Sequence, residues 1–513
     1  MGAGHAVAPP RARTRAARRR GTPAARTAQR AGCERLAQKA DVLVLTNGPG
    51  EVCSWVRAAA EAIARSKQAS ATRVFAALAP CPHASGREVQ ALAANEHVAD
   101  VAGPRHFLLL MLLGRAFFRV RHAVARVVAW VRRAHPPEPN PDGNALRKRG
   151  VVLFLGGDQL LAILLAWRLR YRCVLYAEQA VLWPGLAHLY LLRSQAQLAH
   201  VHPRARHKCR VAGDLLLALA REHQPPPPPS EAGDAPPVVG ILPGSKHAKL
   251  RIGAPYFLSA AARLRALAAA KGGATPRFVL PLAPTTTPED LRACLRGAPG
   301  DPATRFGWLV GHARVEMDDG RGVRCGAYVR VGRVVAEHAE LEVELWAPAP
   351  DGGGVPPFEL YASMDVALTT VGTNTAELGA LGVPMVVALP SHAVEDFRGT
   401  AGGVLGLLMH LPFGIGKRVA HRVNTAFLSR AGSLSWPNMW ADAAGVALPV
   451  PELVGRVDPD EAADEVAALL RDGPARARTS MALQELANAQ NAGDGGGDAT
   501  DVVVRSVASA LCG

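Results

Sequence analysis

The chain has 513 residues, of which 49% are hydrophobic and 20% charged, and its formal net charge is +16. This length exceeds one ordinary domain, and the composition is that of a folded protein rather than a disordered one, so two or three domains are expected. The positive charge is concentrated in residues 1–40 and 105–133. That distribution argues against a nucleic-acid partner, which calls for a basic folded face with interleaved aromatic residues.

Cysteine and histidine usage points to neither a disulfide framework nor a metal centre. The eight cysteines include no C-x-x-C pair, which is typical of scattered buried thiols in a reducing compartment. His200 and His202 would share a face of one strand, but no carboxylate or cysteine completes a ligand set around them. We therefore expect no metal and no cofactor.

Residues 1–40 are rich in Arg and Ala and contain a single acid, Glu34. They lack the apolar run of a secretory signal, so they are predicted to be an organellar transit peptide. The alternative is a disordered basic tail. Composition alone does not separate plastid from mitochondrion.

Residues 41–223 alternate apolar runs with helical stretches, including a helix from about Glu51 to Arg65. Unbroken apolar strands separated by helices indicate a parallel sheet covered on both faces. The predicted strands are Asp41–Leu45, Arg73–Leu78, Val151–Leu155, Cys173–Tyr176 and Ala199–His202.

Within this half, residues 104–134 combine long apolar side chains with seven arginines. The apolar run from Phe107 and Leu108 to Gly114 is far shorter than the ~20 residues that span a bilayer. Arginine spacings of four or seven place these side chains on one helical face, which predicts a helix docked on an anionic membrane surface. The alternative is a partly buried helix whose arginines extend to water. The arginines with this spacing are Arg115, Arg119, Arg126 and Arg133.

Residues 224–237, with five consecutive prolines, predict a stiff linker. The α/β pattern then restarts in residues 238–470, so the predicted fold class is α/β with two Rossmann-like doubly wound domains facing a cleft. Residues 296–357 are predicted to be a hairpin-bearing insertion. Residues 471–513 are predicted to be a tail, disordered after about Asn488 until a last short helix. The predicted strands are Val238–Leu242, Arg277–Leu282, Val366–Thr369 and Val383–Leu389.

Two turns in the second half offer groups for a phosphorylated ligand. In the first, Gly244 allows close backbone approach, Ser245 offers a hydrogen bond and Lys246 a positive charge. The second leads into a helix whose N-terminus presents free N–H groups and a positive dipole end. The candidate ligand-binding residues of this second turn are Gly372, Thr373, Asn374, Thr375 and Glu377.

Plainer interpretations exist for the same residues. The first turn could be an ordinary strand-to-turn junction, and Thr373 or Asn374 could simply cap the helix, as such residues commonly do. Glu377, one turn into the helix, is placed to accept hydrogen bonds from ribose hydroxyls.

Four motifs of the second half resemble, in order and approximate separation, those of the lipid-A-disaccharide synthase family. They are Pro243-Gly244-Ser245-Lys246, Gly372-Thr373-x-Thr375-x-Glu377 with the following Gly382-x-Pro384-Met385-Val386-Val387, Ser435-Trp436-Pro437-Asn438, and Pro451-Glu452-Leu453. The first half resembles a cyanobacterial and plastid branch of that family through Asn47-Gly48-Pro49-Gly50-Glu51 and Trp55-Val56-Arg57. The resemblance covers roughly residues 41–470 and is strongest from Val238 onward.

The resemblance implies a GT-B fold, inversion at the anomeric carbon, a UDP-linked acylated glucosamine donor, a lipid-linked sugar acceptor and no obligatory metal. It adds Asn438 to the residues that would line the nucleotide-sugar site. Lys246 replaces the family's usual arginine, which keeps the charge and loses bidentate phosphate binding. The plastid branch occurs where bacterial-type lipid A is not expected, so the acceptor and the acyl groups stay open and plastid is the favoured organelle.

Inverting transfer needs a base for the acceptor hydroxyl proton. Asp158, at the carboxyl edge of the first sheet, resembles the family's Asp after the equivalent strand and is the first candidate. Glu51 is the second and Glu178 the third. For each of them, helix capping or a salt bridge is the alternative role.

Other functions fit the same features. A UDP-sugar epimerase or another lipid glycosyltransferase would share the fold and the donor-binding turns. A catalytically inactive nucleotide-sugar-binding membrane scaffold would share them as well. The Arg-rich apolar segment 104–134 favours a lipid acceptor over an epimerase.

Overall fold

The computed structural model describes residues 39–66, 72–81, 84–132, 145–178, 180–223, 236–245, 247–296, 312–319, 322–350, 352, 354–390, 418–419, 421–423, 432–490 and 497–512. Most of the predicted transit peptide and linker lies outside these residues. Two predicted site residues, Lys246 and Arg133, also lie outside them.

The first half is built on a seven-stranded parallel sheet with the order β3-β2-β1-β4-β5-β6-β7. In the interior strand Ala40–Thr46, Val42 and Val44 pack into one core while Leu43 and Leu45 pack into another on the opposite face. This is why the strands carry no polar alternation. The strands are β1 Ala40–Thr46, β2 Thr72–Leu78, β3 Val98–Ala102, β4 Gly150–Phe154, β5 Arg172–Ala177, β6 Leu189–Leu192 and β7 Cys209–Val211.

Helices cover both faces of this sheet. The helix after β1 changes type along its length, with a π-helix at Val52–Val56 between two α-helical pieces. The α-helices of this half are α1 Pro49–Glu51, α2 Arg57–Arg65, α3 Glu88–Ala93, α4 Phe107–Leu113, α5 Phe117–Val131, α6 Gln159–Leu169, α7 Gln195–His200, α8 Pro203–Arg206 and α9 Leu215–Glu222, and single 3₁₀ turns lie at Pro104–His106 and Gly114–Ala116.

The second half holds a nine-stranded mixed sheet with the order β10-β12-β13-β9-β8-β14-β15-β16, and β11 pairs with β12. Its strands are β8 Val238–Leu242, β9 Arg277–Pro281, β10 Ala313–Met317, β11 Arg324–Cys325, β12 Tyr328–Ala336, β13 Leu341–Pro348, β14 Val366–Thr369, β15 Met385–Pro390 and β16 Glu452–Gly455. Its helices are α10 His247–Ala270, α11 Pro288–Arg296, α12 Phe358–Ala362, α13 Thr373–Ala380, α14 Trp436–Ala444, α15 Pro459–Arg471 and α16 Gly473–Gln490, with a 3₁₀ turn at Glu337–Ala339.

The two sheets confirm the predicted fold class. Residues that follow β1 in the first half and β8, β9 and β14 in the second line a common cleft. Ligands of doubly wound proteins bind outside the carboxyl ends of the strands. This pair of Rossmann-like domains facing a cleft is the GT-B arrangement.

The predicted strand Ala199–His202 is wrong. Residues 195–200 form helix α7, and Ser194 and Gln197 make a reciprocal capping box at its start. The Ser-x-x-Gln spacing is a helix-start signal that outweighed the short apolar run. The sheet takes its last strands from Leu189–Leu192 and Cys209–Val211 instead.

The described part of residues 296–357 joins the sheet of the second half. The predicted hairpin is present as the antiparallel pair β12 and β13. However, β13 also pairs in parallel with β9, so these strands extend the main sheet of the second half. Leu341, Val343 and Leu345 are buried in the same core as Phe278 and Leu280 of β9.

The predicted tail is mostly helical. α16 continues to Gln490, and a helix at Ala499–Cys512, here α17, follows residues 491–496, which the structure does not describe. α17 packs on α2, β4 and β5, so the end of the chain returns to the first half. Its buried residues Val503 and Val507 supply the apolar face that this contact requires.

Candidate nucleotide-sugar cleft

The cleft between the halves has a volume of about 950 Å³, open solvent at its mouth included. Both halves contribute to its walls. The first half contributes Pro49, Gly50, Glu51 and Cys53, and the second contributes Leu242, Gly244, Ser245, Lys249, Pro281, Ala283, Pro284, Thr285, Pro356, Pro357, Tyr361, Val371, Gly372, Thr373, Asn374 and Glu377.

The turn after β8 brings backbone to the cleft wall. Gly244 has φ +98°, and a Cβ there would lie 3.0 Å from Thr370 Cγ2 and 3.3 Å from Lys249 Cβ. Glycine adopts this positive φ without strain and has no Cβ to crowd these neighbouring atoms. Ser245, the next residue, also lines the cleft, as the sequence predicted for a ligand-facing turn.

Lys249 is a cleft residue that sequence reasoning missed. It lies in the first turn of α10, and its Nζ donates a hydrogen bond to the carbonyl of Val371. A Cβ on Gly372 would lie 3.6 Å from that Nζ. The ammonium group therefore lies beside the N-terminus of α13. In the sequence only its position three residues after Lys246 points to it, because its contact with Val371 joins residues far apart in the chain.

The N-terminus of α13 opens onto the cleft at Gly372, Thr373 and Asn374. The Nδ2 of Asn374 donates to Thr369 Oγ1, which fixes the amide at the end of β14. The first N–H groups of a helix lack partners within it, and its dipole is positive at this end. Together with the nearby ammonium group, this end of the helix is suited to an anion such as a diphosphate.

Thr375 has a different role from its neighbours. Its side chain is buried and does not line the cleft. Its Oγ1 donates to Gly372 O at 2.8 Å and accepts from the N–H of Trp436 at 3.2 Å. Thr375 thus holds the start of α13 in place instead of facing the cleft.

Glu377 is a buried carboxyl group at the wall of the cleft. Tyr361 lines the same cleft. Burial raises the pKa of Glu377 to about 7, and the nearby Tyr361 hydroxyl opposes that rise. Burial, with a smaller contribution from Glu377, also raises the pKa of Cys53 to about 12, so that thiol is protonated at neutral pH. A buried carboxyl of this kind is suited to accept hydrogen bonds from a ligand's hydroxyl groups.

Glu51 brings a carboxylate to the cleft from the first half. A Cβ on Gly48 would clash with Glu51 Oε2, and one on Gly156 would lie 3.0 Å from Glu51 Cγ. A Cβ on Gly157 would lie 3.2 Å from the Cγ of Asn47. These glycines leave room at the carboxyl edge of β1 and β4 for the side chains of Glu51 and Asn47. The sequence did not predict Asn47 as a site residue.

Asp158 caps a helix and is not among the residues that line the cleft. Its Oδ1 accepts from the N–H of Leu160 at 2.8 Å, and the residue is exposed. This is the alternative role that the sequence left open. Glu178, the third candidate, is absent from the cleft lining as well.

Asn438 is an anchor behind the site. It is buried, with its Nδ2 2.8 Å from Val450 O and 2.9 Å from Glu452 Oε1, and its Oδ1 accepts from the Val450 N–H. Glu452 also accepts from the N–H and hydroxyl of Ser435. The two C-terminal motifs therefore bind each other and support α13 through Trp436, and neither motif lines the cleft.

The two halves meet closely at the cleft. A Cβ on Gly50 would lie only 2.8 Å from Thr373 Oγ1 of α13. At the surface, Arg87 donates to Thr285 O at 3.0 Å and pairs with Asp290, and this ion pair lowers the pKa of Asp290 against the opposing effect of burial. The Glu51 side chain of one half and the N-terminus of helix α13 of the other thus line the same cleft.

The predicted membrane segment forms α4 and α5. Phe107 is buried, whereas Leu108 is 73% exposed. Arg119 and Arg126 are exposed, and Arg115 is partly buried with its side chain near Lys148 O. Among the described residues, no helix is long and apolar enough to cross a bilayer. In the same residues, no group of three His, Cys, Asp or Glu could hold a metal ion.

The chain matches no protein-family model and no curated protein. Solved structures that resemble it include UGT89C1 of Arabidopsis thaliana complexed with UDP (12% identity, TM-score 0.42, 93% of this chain and 100% of that one). Others are a glycosyltransferase from Rickettsia africae (7%, 0.40, 92% and 98%) and UDP-GlcNAc 2-epimerase from Neisseria meningitidis bound to UDP-GlcNAc (13%, 0.35, 84% and 99%). The assignment of the GT-B fold to this chain comes from its own two sheets.

Proposed function

We propose that the protein is a glycosyltransferase that takes its sugar from a UDP-sugar bound in the cleft. The observation that carries the proposal is the set of groups gathered at one end of the cleft. Lys249 and the N-terminus of α13 would bind the diphosphate. Glu377, one turn further along α13, would accept hydrogen bonds from the ribose hydroxyls.

The transfer itself requires a base on the opposite wall. In an inverting reaction the acceptor oxygen attacks the anomeric carbon, the bond from that carbon to the diphosphate breaks, and the acceptor proton passes to the base. Positive groups at the diphosphate would stabilise the departing UDP. Glu51 is the better placed carboxylate, because it lines the cleft while Asp158 caps α6.

The exposed apolar surface of the first half supports a lipid-linked sugar as acceptor. Leu108 and Leu112 are 73% and 70% exposed, and Trp130 is 80% exposed. Large apolar side chains that are exposed within one segment suit an interaction surface. The exposed Arg119 and Arg126 of the same segment suit anionic headgroups, so we propose peripheral docking on an anionic membrane. The donor would be a UDP-linked glucosamine-type sugar, as in the lipid-A-disaccharide synthases that the motifs resemble.

The N-terminal residues also support a proposal for the subcellular localisation of the protein. The Arg-rich residues 1–40 would direct it to an organelle, with plastid favoured and mitochondrion as the alternative. A fusion of residues 1–40 to a fluorescent protein tests this. Diffuse cytosolic fluorescence would contradict it.

The function is tested by incubating the full chain with UDP-[¹⁴C]N-acetylglucosamine, or its acylated analogue, and anionic vesicles carrying acylated glucosamine 1-phosphate. We expect label in the lipid fraction. An epimerised UDP-sugar formed without vesicles would establish the epimerase instead. Binding without either product would establish the inactive scaffold.

Two matched variants identify the base. Glu51→Gln should lower kcat by about 100-fold or more if Glu51 accepts the proton. Asp158→Asn should leave kcat nearly unchanged, because asparagine also caps helices. The opposite result would reassign the base to Asp158.

A further inference from the structure

Arg193 lies at the contact between the two halves, directly after β6. It is buried and pairs with Asp214, whose other oxygen accepts from the N–H of Leu216 at the start of α9. Its Nε has no hydrogen-bond partner in the described structure. The ion pair and the ring faces around the guanidinium therefore hold this side chain.

Two indole rings, one from each half, contact that guanidinium. Its central carbon lies 4.2 Å from the ring centroid of Trp436 and 6.0 Å from that of Trp55. Trp55 is further fixed by Tyr176, whose ring centroid lies 5.4 Å away in an edge-on arrangement. Cation–π contacts of this kind are strongest when they are desolvated, as here.

Each indole belongs to an element that carries one side of the cleft. Trp55 lies in the π-helix Val52–Val56, which begins immediately after Glu51. The backbone N–H of Trp436 donates to Thr375 Oγ1 in α13. A Cβ on Gly379 would lie 3.0 Å from Pro437 Cγ, so α13 and the start of α14 are in direct contact. The Arg193 guanidinium thus contacts one residue of the helix that follows Glu51 and one residue that packs against α13.

We infer that Arg193 is a positioning residue that sets the spacing between the Glu51 carboxylate of the first half and the anion-binding helix α13 of the second. It acts through Trp55 and Trp436 and does not line the cleft. The inference rests on the proposed transferase function. It follows that loss of the guanidinium–indole contact should impair turnover more than nucleotide binding, because the proposed nucleotide contacts lie mainly within the second half.

The kinetic test compares Arg193→Lys, Trp436→Leu and the double variant in the full chain. Lysine keeps the charge for Asp214 and lacks the planar guanidinium that contacts the indole rings. Arg193→Lys should lower kcat by about 10- to 100-fold, as expected for a misplacement near 1 Å, with the dissociation constant for UDP unchanged. In the Trp436→Leu background the same change should have little effect, because the contact is already gone. The matched control is Arg65→Lys, at an exposed arginine.

Unchanged kcat in Arg193→Lys, or an equal loss of kcat in both backgrounds, would overturn the inference. Amide hydrogen exchange tests the contact of Arg193 with Trp55 and Trp436 without a measurement of turnover. Protection of Val52–Val56 and of Trp436–Ala444 should fall together in either single variant, and a loss confined to one segment would contradict the inference. If the wild-type chain transfers no sugar, the proposed function fails while the exchange result still decides this contact. If Arg193→Lys does not fold, Trp436→Leu provides the same readout.

Discussion

At the residue scale, Glu377 combines burial with a position on the cleft wall. A buried carboxyl group costs stability when it must ionise without full compensation. Its pKa is raised by burial from 4.5 to about 7. Ionisable groups with strongly shifted pKa values are common at ligand-binding and catalytic sites. The destabilisation by Glu377 can be measured from the pH dependence of the free energy of unfolding.

Between pH 4.5 and about 7 the folded protein holds a proton on Glu377 that the unfolded chain has lost. The contribution of Glu377 to stability therefore falls as the pH rises through this window, by on the order of 3 kcal/mol in total. Glu377→Gln removes this loss. We expect the variant to be more stable than the wild type at pH 8 and nearly equal to it at pH 4.5, measured by urea denaturation. The same stability difference at both pH values would contradict the raised pKa.

The residues that sequence reasoning missed are those whose partners are distant in the chain. Lys249 matters because its ammonium group reaches Val371, and Tyr361 because it lines the cleft together with Glu377. Neither pairing is visible in a single sequence. Conversely, Asn438 belongs to a recognisable motif, but a motif does not tell whether its amide faces a ligand or, as here, Val450 and Glu452.

At the element scale, strands buried on both faces were predictable because their apolar runs are unbroken. β1, β4, β8 and β14 lie within one or two residues of their predicted bounds. Short elements near surface turns were less predictable, as the error at Ala199–His202 shows. The parallel pairing of β13 with β9 could not be predicted either, because the hairpin pattern of β12 and β13 is local while that pairing is not.

The return of α17 to the first half leads to a stability prediction. Val503 is fully buried, and Arg149 Nε donates to the carbonyl of Leu511 at 3.0 Å near the end of the same helix. Val503→Ala should destabilise the protein by about 2 kcal/mol through lost burial and a small cavity. Ser509→Ala, at an exposed position of α17, is the control. An equal, small effect of both changes in thermal denaturation would argue that the helix does not pack as described.

The exposed surface of α4 and α5 leads to a vesicle-binding prediction. Basic residues near an anionic surface contribute about 1 kcal/mol each, so Arg119→Glu with Arg126→Glu should weaken binding by more than about tenfold. Leu108→Glu with Leu112→Glu should also weaken vesicle binding, because less apolar surface is then buried in the membrane interface. Met481→Glu, at an exposed apolar residue of α16, is the control. Sedimentation with vesicles of anionic and of zwitterionic lipid measures this, and unchanged binding in both double variants would contradict membrane docking by this segment.

At the scale of the whole molecule, the halves are joined by contacts of different kinds around one cleft. Arg193 contacts the ring of Trp436 in the interior, Arg87 pairs with Asp290 at the surface, and Gly50 approaches Thr373 at the cleft itself. The sequence predicted two doubly wound halves from their repeated strand and helix pattern. It could not predict which side chains meet between the halves, since these contacts join residues far apart in the chain.

The central claim is that the cleft binds a nucleotide sugar through α13 and Lys249. Calorimetric titration of the full chain with UDP and with UDP-N-acetylglucosamine tests it most directly. We predict saturable binding that is lost in the Lys249→Ala, Glu377→Ala double variant. The control Lys271→Ala, at an exposed lysine just after α10, should bind like the wild type. No binding to the folded wild-type chain, or equal binding in the double variant, would contradict the claim.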